Sequence, residues 1–204
     1  MKSELFFKII IAIVMIGSLN ACLQPQYGNE INEIDQMLDS LEITQGKLAQ
    51  INFDTCLKIK RTINGKIDFV NKHYAITGDT VTLEIGILLG KYKDASKAFT
   101  RVEKNYNKIN DELNYTMNQM KSLRKALKSE VYDKTQTSAY FTEEKQAFQA
   151  INFAADKLLN GTRAGSHLFN EHKEQINVLI NDLQSEKEAL WELAWPYCFY
   201  LLLL

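Results

Sequence analysis

Few side chains in this 204-residue chain have types and spacings suited to chemistry. His167 and Glu171 stand four apart, so on a helix both would reach one cation from the same face. Zinc asks for three or four ligands, and no second pair occurs at matching spacing. His73, His167 and His172 are therefore read as solvated groups or groups at the edge of a helix seam. No GxSxG elbow, phosphate-cradling glycine loop or HExxH pair occurs. The reading is a non-enzyme with no cofactor and no metal, and a metal carrier or enzyme ranks last. Three thiols are present, Cys22, Cys56 and Cys198. From Trp191 to Leu204 the one charge is Glu192, set among Trp191, Trp195, Tyr197, Phe199, Tyr200 and four terminal leucines. After Pro196 the run is too short to cross a bilayer. It either folds back over the bundle end, or offers a partner Trp191, Trp195, Tyr197 and Phe199, or is a non-native end. Large exposed apolar surfaces usually mark interaction sites.

A net charge of −1 argues against nucleic acid as a partner, which would select a basic stripe. Charged residues at 24% and hydrophobic residues at 46% place the chain among globular proteins. Lys outnumbers Arg 20 to 4, and Ile and Asn are abundant, the bias of an A/T-rich coding sequence. The two prolines, Pro25 and Pro196, flank a long stretch free of proline, which permits helices of unusual length.

That stretch must position everything else. Ile85, Leu88, Tyr92, Ala95, Phe99, Val102, Tyr106, Ile109, Leu113, Thr116, Met120, Leu123 and Leu127 recur at alternating steps of three and four. A repeat of 3.5 residues kept up this long gives a helix with a narrow seam for partner helices. An earlier helix is expected from about Asn29, with Ile31, Ile34, Leu38, Leu41 and Leu48 on its seam. The phase shifts near Asn52, and Ile59, Ile63, Ile67, Val70 and Tyr74 continue the stripe. A hairpin at Asn64-Gly65 is the rival, but its apolar faces do not match across the strands. The turn Ile76-Thr77-Gly78-Asp79 precedes the central helix, which Asp79 or Thr80 can cap and which runs from about Thr80 to Val131. Gly86 and Gly90 near its start mark either a close helix approach or a fraying end. After a polar turn at 132–137, a last helix carries Phe141, Phe148, Ile151, Ala155, Leu158, Phe169, Ile176, Leu179, Leu183, Leu190 and Leu193 on one seam. Glu144, Thr162, Gly165, His172 and Glu186 fill its remaining seam positions. Gly161 and Gly165 weaken this helix, each costing ~1 kcal/mol against Ala; a kink within one helix is expected there, and a true break into two helices is the alternative.

The fold expected is all-α: an elongated antiparallel three-helix, coiled-coil-like bundle. The alternative has four helices, the third broken near Gly161–Gly165. Residues 1–21 read as a leader, 22–29 as a tether, 30–195 as one helical bundle domain and 196–204 as an apolar tail. In this arrangement Cys56 and Cys198 lie far apart, which predicts free thiols.

The leader carries the cellular address. Lys2 and Lys8 precede the apolar run Ile9–Ile16, and Gly17-Ser18 follows. This is the order of an export signal, too short for a stable membrane span. It ends Leu19-Asn20-Ala21-Cys22, and here the chain resembles bacterial lipoprotein precursors. The resemblance implies cleavage before Cys22, a diacylglycerol on its sulfur and fatty acyl (palmitate) chains in the membrane, although Asn20 departs from the usual small residue. With its Lys/Ile/Asn-rich helices the chain is also similar to the helical surface lipoproteins of Borrelia-type spirochaetes. That resemblance implies a protein held by its N-terminal lipid in the bacterial envelope, at the outer membrane or cell surface. It also implies binding of another protein, such as a host complement regulator or matrix component. It carries over no functional residue. The second reading is a structural spacer of the envelope that assembles through its own helical faces.

Overall fold

The computed structural model describes residues 26–201, with side chains through residue 188. Among the described residues the protein is all-α: α1 (Gly28–Ala49), α2 (Phe53–Thr77), α3 (Leu83–Lys128) and α4 (Lys134–Leu201). Four helices match the alternative expectation in number, but the interruption lies elsewhere. It falls at residues 50–52, where the apolar phase shifts, while α4 runs unbroken through Gly161 and Gly165.

The break has a local cause. Asn52 leaves helical geometry, with φ −76° and ψ 95°, and its side-chain oxygen accepts a hydrogen bond from the Thr55 amide at 2.9 Å. This is a helix N-cap, which satisfies one of the first-turn amides that no helical carbonyl can reach. Gly78 closes α2 at φ 76°, its amide bonded to the Tyr74 carbonyl at 3.1 Å. The central helix starts two to three residues later than Asp79 or Thr80 would place it. The Thr82 hydroxyl accepts from the Ile85 amide, so Thr82 does the capping. At the other end of α3, Glu130 and Val131 donate to the carbonyls of Leu127 and Ala126, both at 3.2 Å. These are the two crossed bonds of a Schellman ending. Asp133 then caps α4, accepting from Thr135 and Gln136 at 2.8 Å each, while the Gln136 side chain bonds back to the Asp133 amide. That reciprocal pair is a capping box.

The helices pack in two compact units. Among the described residues the first comprises 26–43 together with 114–149. There Ile31, Ile34, Met37, Leu38 and Leu41 of α1 are buried, as are Thr116, Met117, Met120, Leu123 and Leu127 of α3. Phe141, Glu144 and Phe148 of α4 are half-buried. Ion pairs between Arg124 and Asp35 and between Lys145 and Glu33 flank this core. The Tyr27 hydroxyl donates to the Tyr132 carbonyl at 3.1 Å.

Among the described residues the second unit comprises 44–113 and 150–201. Its core takes Leu48 from α1, Cys56, Ile63 and Val70 from α2, and Tyr92, Ala95, Phe99, Val102, Ile109 and Leu113 from α3. Ile151, Ala155, Leu158, Leu159, Ile176 and Leu183 of α4 complete it. Polar pairs fix the register within this unit. Thr44 donates to Asn152 at 3.0 Å, Ser96 donates to Asn64 at 2.6 Å, and Lys66 pairs with Asn177. Lys60 pairs with Glu103 and holds the Glu103 carboxyl below its usual range. Asn64-Gly65 lies inside α2, so the hairpin is excluded. Gly165 is buried where α3 and α4 meet: a Cβ there would lie 2.7 Å from the Ala98 Cβ. Gly86 and Gly90 have open space where a Cβ would go, so neither marks a close helix approach.

Candidate functional site

The residues expected to matter most fall at the edges of the description. Cys22 lies outside the described residues. The backbone of α4 passes through Trp191, Trp195, Tyr197 and Phe199, and through Pro196, to Leu201. The side chains of those four residues lie outside the described ones. Cys56 is a free, buried thiol, and burial pushes its pKa up.

The histidines are well placed to judge. His167 sits on the surface with Nδ1 3.4 Å from Glu171 Oε2, an i,i+4 pair on one face of α4. His172 is buried: Nδ1 lies 3.4 Å from Gln175 Oε1, and Nε2, 3.7 Å from Glu171 Oε2, has no hydrogen-bond partner. His73, buried at the end of α2, has Nε2 3.6 Å from Glu186 Oε2 of α4. Among the described residues no three His, Cys, Asp or Glu side chains are grouped to hold a metal ion.

What the structure adds is an apolar surface at the α2–α3 connection, within the second unit. Ile76, at 82% exposure, and Leu83, at 79%, project into solvent, and Val81 and Ile87 are also exposed. Beside them a shallow cleft of about 250 Å³ is lined by Glu84, Ile87, Leu88, Lys91, His172 and Gln175. Isolated apolar residues on a surface are ordinary, but several across one connection and the two helices it joins are the usual mark of a contact surface. A sequence signal for it exists: Leu83 and Ile87 are out of phase with the seam residues Ile85, Leu88 and Tyr92, so no partner helix of the bundle can bury them.

No helix among the described residues is long and apolar enough to cross a membrane. Compared with protein-family models, with curated proteins and with solved structures, the chain matches none.

Proposed function

We propose that the chain is an exported lipoprotein, anchored through Cys22 to the bacterial envelope at the outer membrane or cell surface, whose helical body binds another protein. The observation that carries the proposal is the apolar run Ile9–Ile16, preceded by Lys2 and Lys8 and followed by Leu19-Asn20-Ala21-Cys22. One acyl chain gives only marginal membrane binding, whereas the two or three on such a cysteine hold firmly. The described helices are consistent with a body that relies on that anchor, since none of them is a candidate span. The exposed Ile76, Leu83 and Ile87 support a contact surface on that body, and a host protein is the partner class the resemblance suggests.

The test is acylation in a bacterial host fed labelled palmitate. The wild-type chain is expected to take up label, fractionate with membranes and have an N-terminus beginning at Cys22. The Cys22→Ala variant is expected to lose the label and the membrane association together. A wild-type chain that stays unlabelled, or a Cys22→Ala chain that remains membrane-bound, overturns the proposal. Binding is tested separately, by comparing wild type with a Leu83→Lys/Ile87→Lys variant in a solution affinity screen against host serum proteins.

A further inference from the structure

The break between α1 and α2 opens a groove of about 450 Å³ in the second unit. It arises because α1 stops at Ala49 and Asn52 starts a new helix, so the connecting residues 50–52 leave a gap in the wall facing α4. Ile51, Cys56, Ile59 and Leu159 give it an apolar floor. Lys47, from the last turn of α1, and Arg163, from α4, stand on its rim. Both are exposed, and among the described residues neither has an ion-pair partner. No Asp or Glu lines the groove, and the hydroxyls of Thr55, Thr162 and Ser166 do.

The first turn of α2 opens onto the same place. Asn52 satisfies the Thr55 amide, while the amides before it have no helical carbonyl to bond; Asp54 in the same turn offsets the partial positive charge of this helix end, so Lys47 and Arg163 supply the positive charge of the site. The size lies within the range of small-molecule sites, which combine an apolar lining with a few convergent polar groups.

From this charge complementarity we infer that the groove binds an amphiphilic anion, with a carboxylate or phosphate head between Lys47 and Arg163 and an aliphatic chain over Ile51, Ile59 and Leu159. A cationic ligand would face two like charges with no acid among the lining residues. A neutral apolar ligand would leave both cations unused. Arg163 offers a planar fork that fits either oxyanion, and Lys47 supplies a point charge.

The test is equilibrium dialysis of the full chain against labelled decanoate, decyl phosphate and decyltrimethylammonium. At least one of the two anions is expected to bind saturably, and the cation is not. Decanoate and decyl phosphate together decide whether a carboxylate or a phosphate head is preferred. Because Lys47 and Arg163 are exposed, the Lys47→Gln/Arg163→Gln variant should keep its helical circular dichroism while losing about tenfold or more in affinity. Peptide mass mapping of alkylated thiols locates the ligand: the bound anion should slow modification of Cys56. The inference is overturned by no saturable binding of either anion below about 1 mM. Affinity unchanged in the double variant, or equal binding of the cation, overturns it as well.

Discussion

At Gly165 a missing side chain lets two helices meet. Its Cβ position falls 2.7 Å from the Ala98 Cβ and 3.5 Å from the Ala95 carbonyl oxygen, and neither neighbour is the tip of a flexible chain. Gly165→Ala must therefore push α3 and α4 apart, at a cost of about 1–3 kcal/mol. Gly161, one turn earlier, has open space around it, so Gly161→Ala should stabilise by about 0.5–1 kcal/mol through helix propensity alone. Urea melts of the two variants are expected to shift in opposite directions. Tyr92 makes the second residue-scale case. It is fully buried, stacks on Phe169 with ring centroids 5.9 Å apart, and its hydroxyl has no partner. Burial pushes its pKa up to about 12 from the ordinary 10. The folded chain then keeps a phenolic proton that the unfolded chain loses, so stability is full below pH 10 and falls as the pH rises towards 12. Tyr92→Phe should be at least as stable as wild type at neutral pH and should lose this part of the alkaline sensitivity, as read from melting temperatures at successive pH values.

At the scale of elements, the helix ends set the architecture. Asn52→Ala removes the α2 cap and should cost ~1 kcal/mol, because the Thr55 amide loses its acceptor. Glu130 is the opposite case: it occupies the left-handed position of the α3 ending, at φ 49°, where glycine is the usual residue. Glu130→Gly should raise stability by about 1 kcal/mol, measurable in the same melts. These details show what local reading could reach. The central stripe was legible because burial follows it: of its thirteen positions from Ile85 to Leu127, none is exposed. The shift at Asn52 was visible as a phase slip, yet a slip does not say whether a helix bends or ends; the cap geometry decides that. Gly161 and Gly165 looked like the weak point of the last helix. The outcome at Gly165 depends on Ala98, some seventy residues away, which no local propensity can report. The groove at the break was not legible for the same reason. Its charged rim comes from Lys47 and Arg163, and only the folded chain brings them to one opening.

For the whole molecule, the proposed anchor makes location the decisive property. Protease added to intact bacteria is expected to remove the chain if the body faces outward; a chain spared by that treatment would favour the envelope-spacer reading instead. The described residues place polar pairs on both compact units, Asp35–Arg124 in one and Lys60–Glu103 in the other. Such solvent-facing pairs contribute little individually and weaken with salt. The apolar stripes therefore carry most of the stability of each unit, and the charged faces remain free to vary.

The Asn64-Gly65 step has a further bearing on the protein's ageing. In a loose chain this dipeptide is the one most prone to lose ammonia, because the glycine nitrogen can swing round to attack the asparagine side-chain carbonyl. Inside α2 that nitrogen is committed to the helix, and the Asn64 oxygen is held by the Ser96 hydroxyl at 2.6 Å. Conversion to aspartate or isoaspartate at this position can then proceed only during moments when α2 has opened. The isoaspartate content of a stored sample becomes a chemical clock, counting how often that helix has come undone.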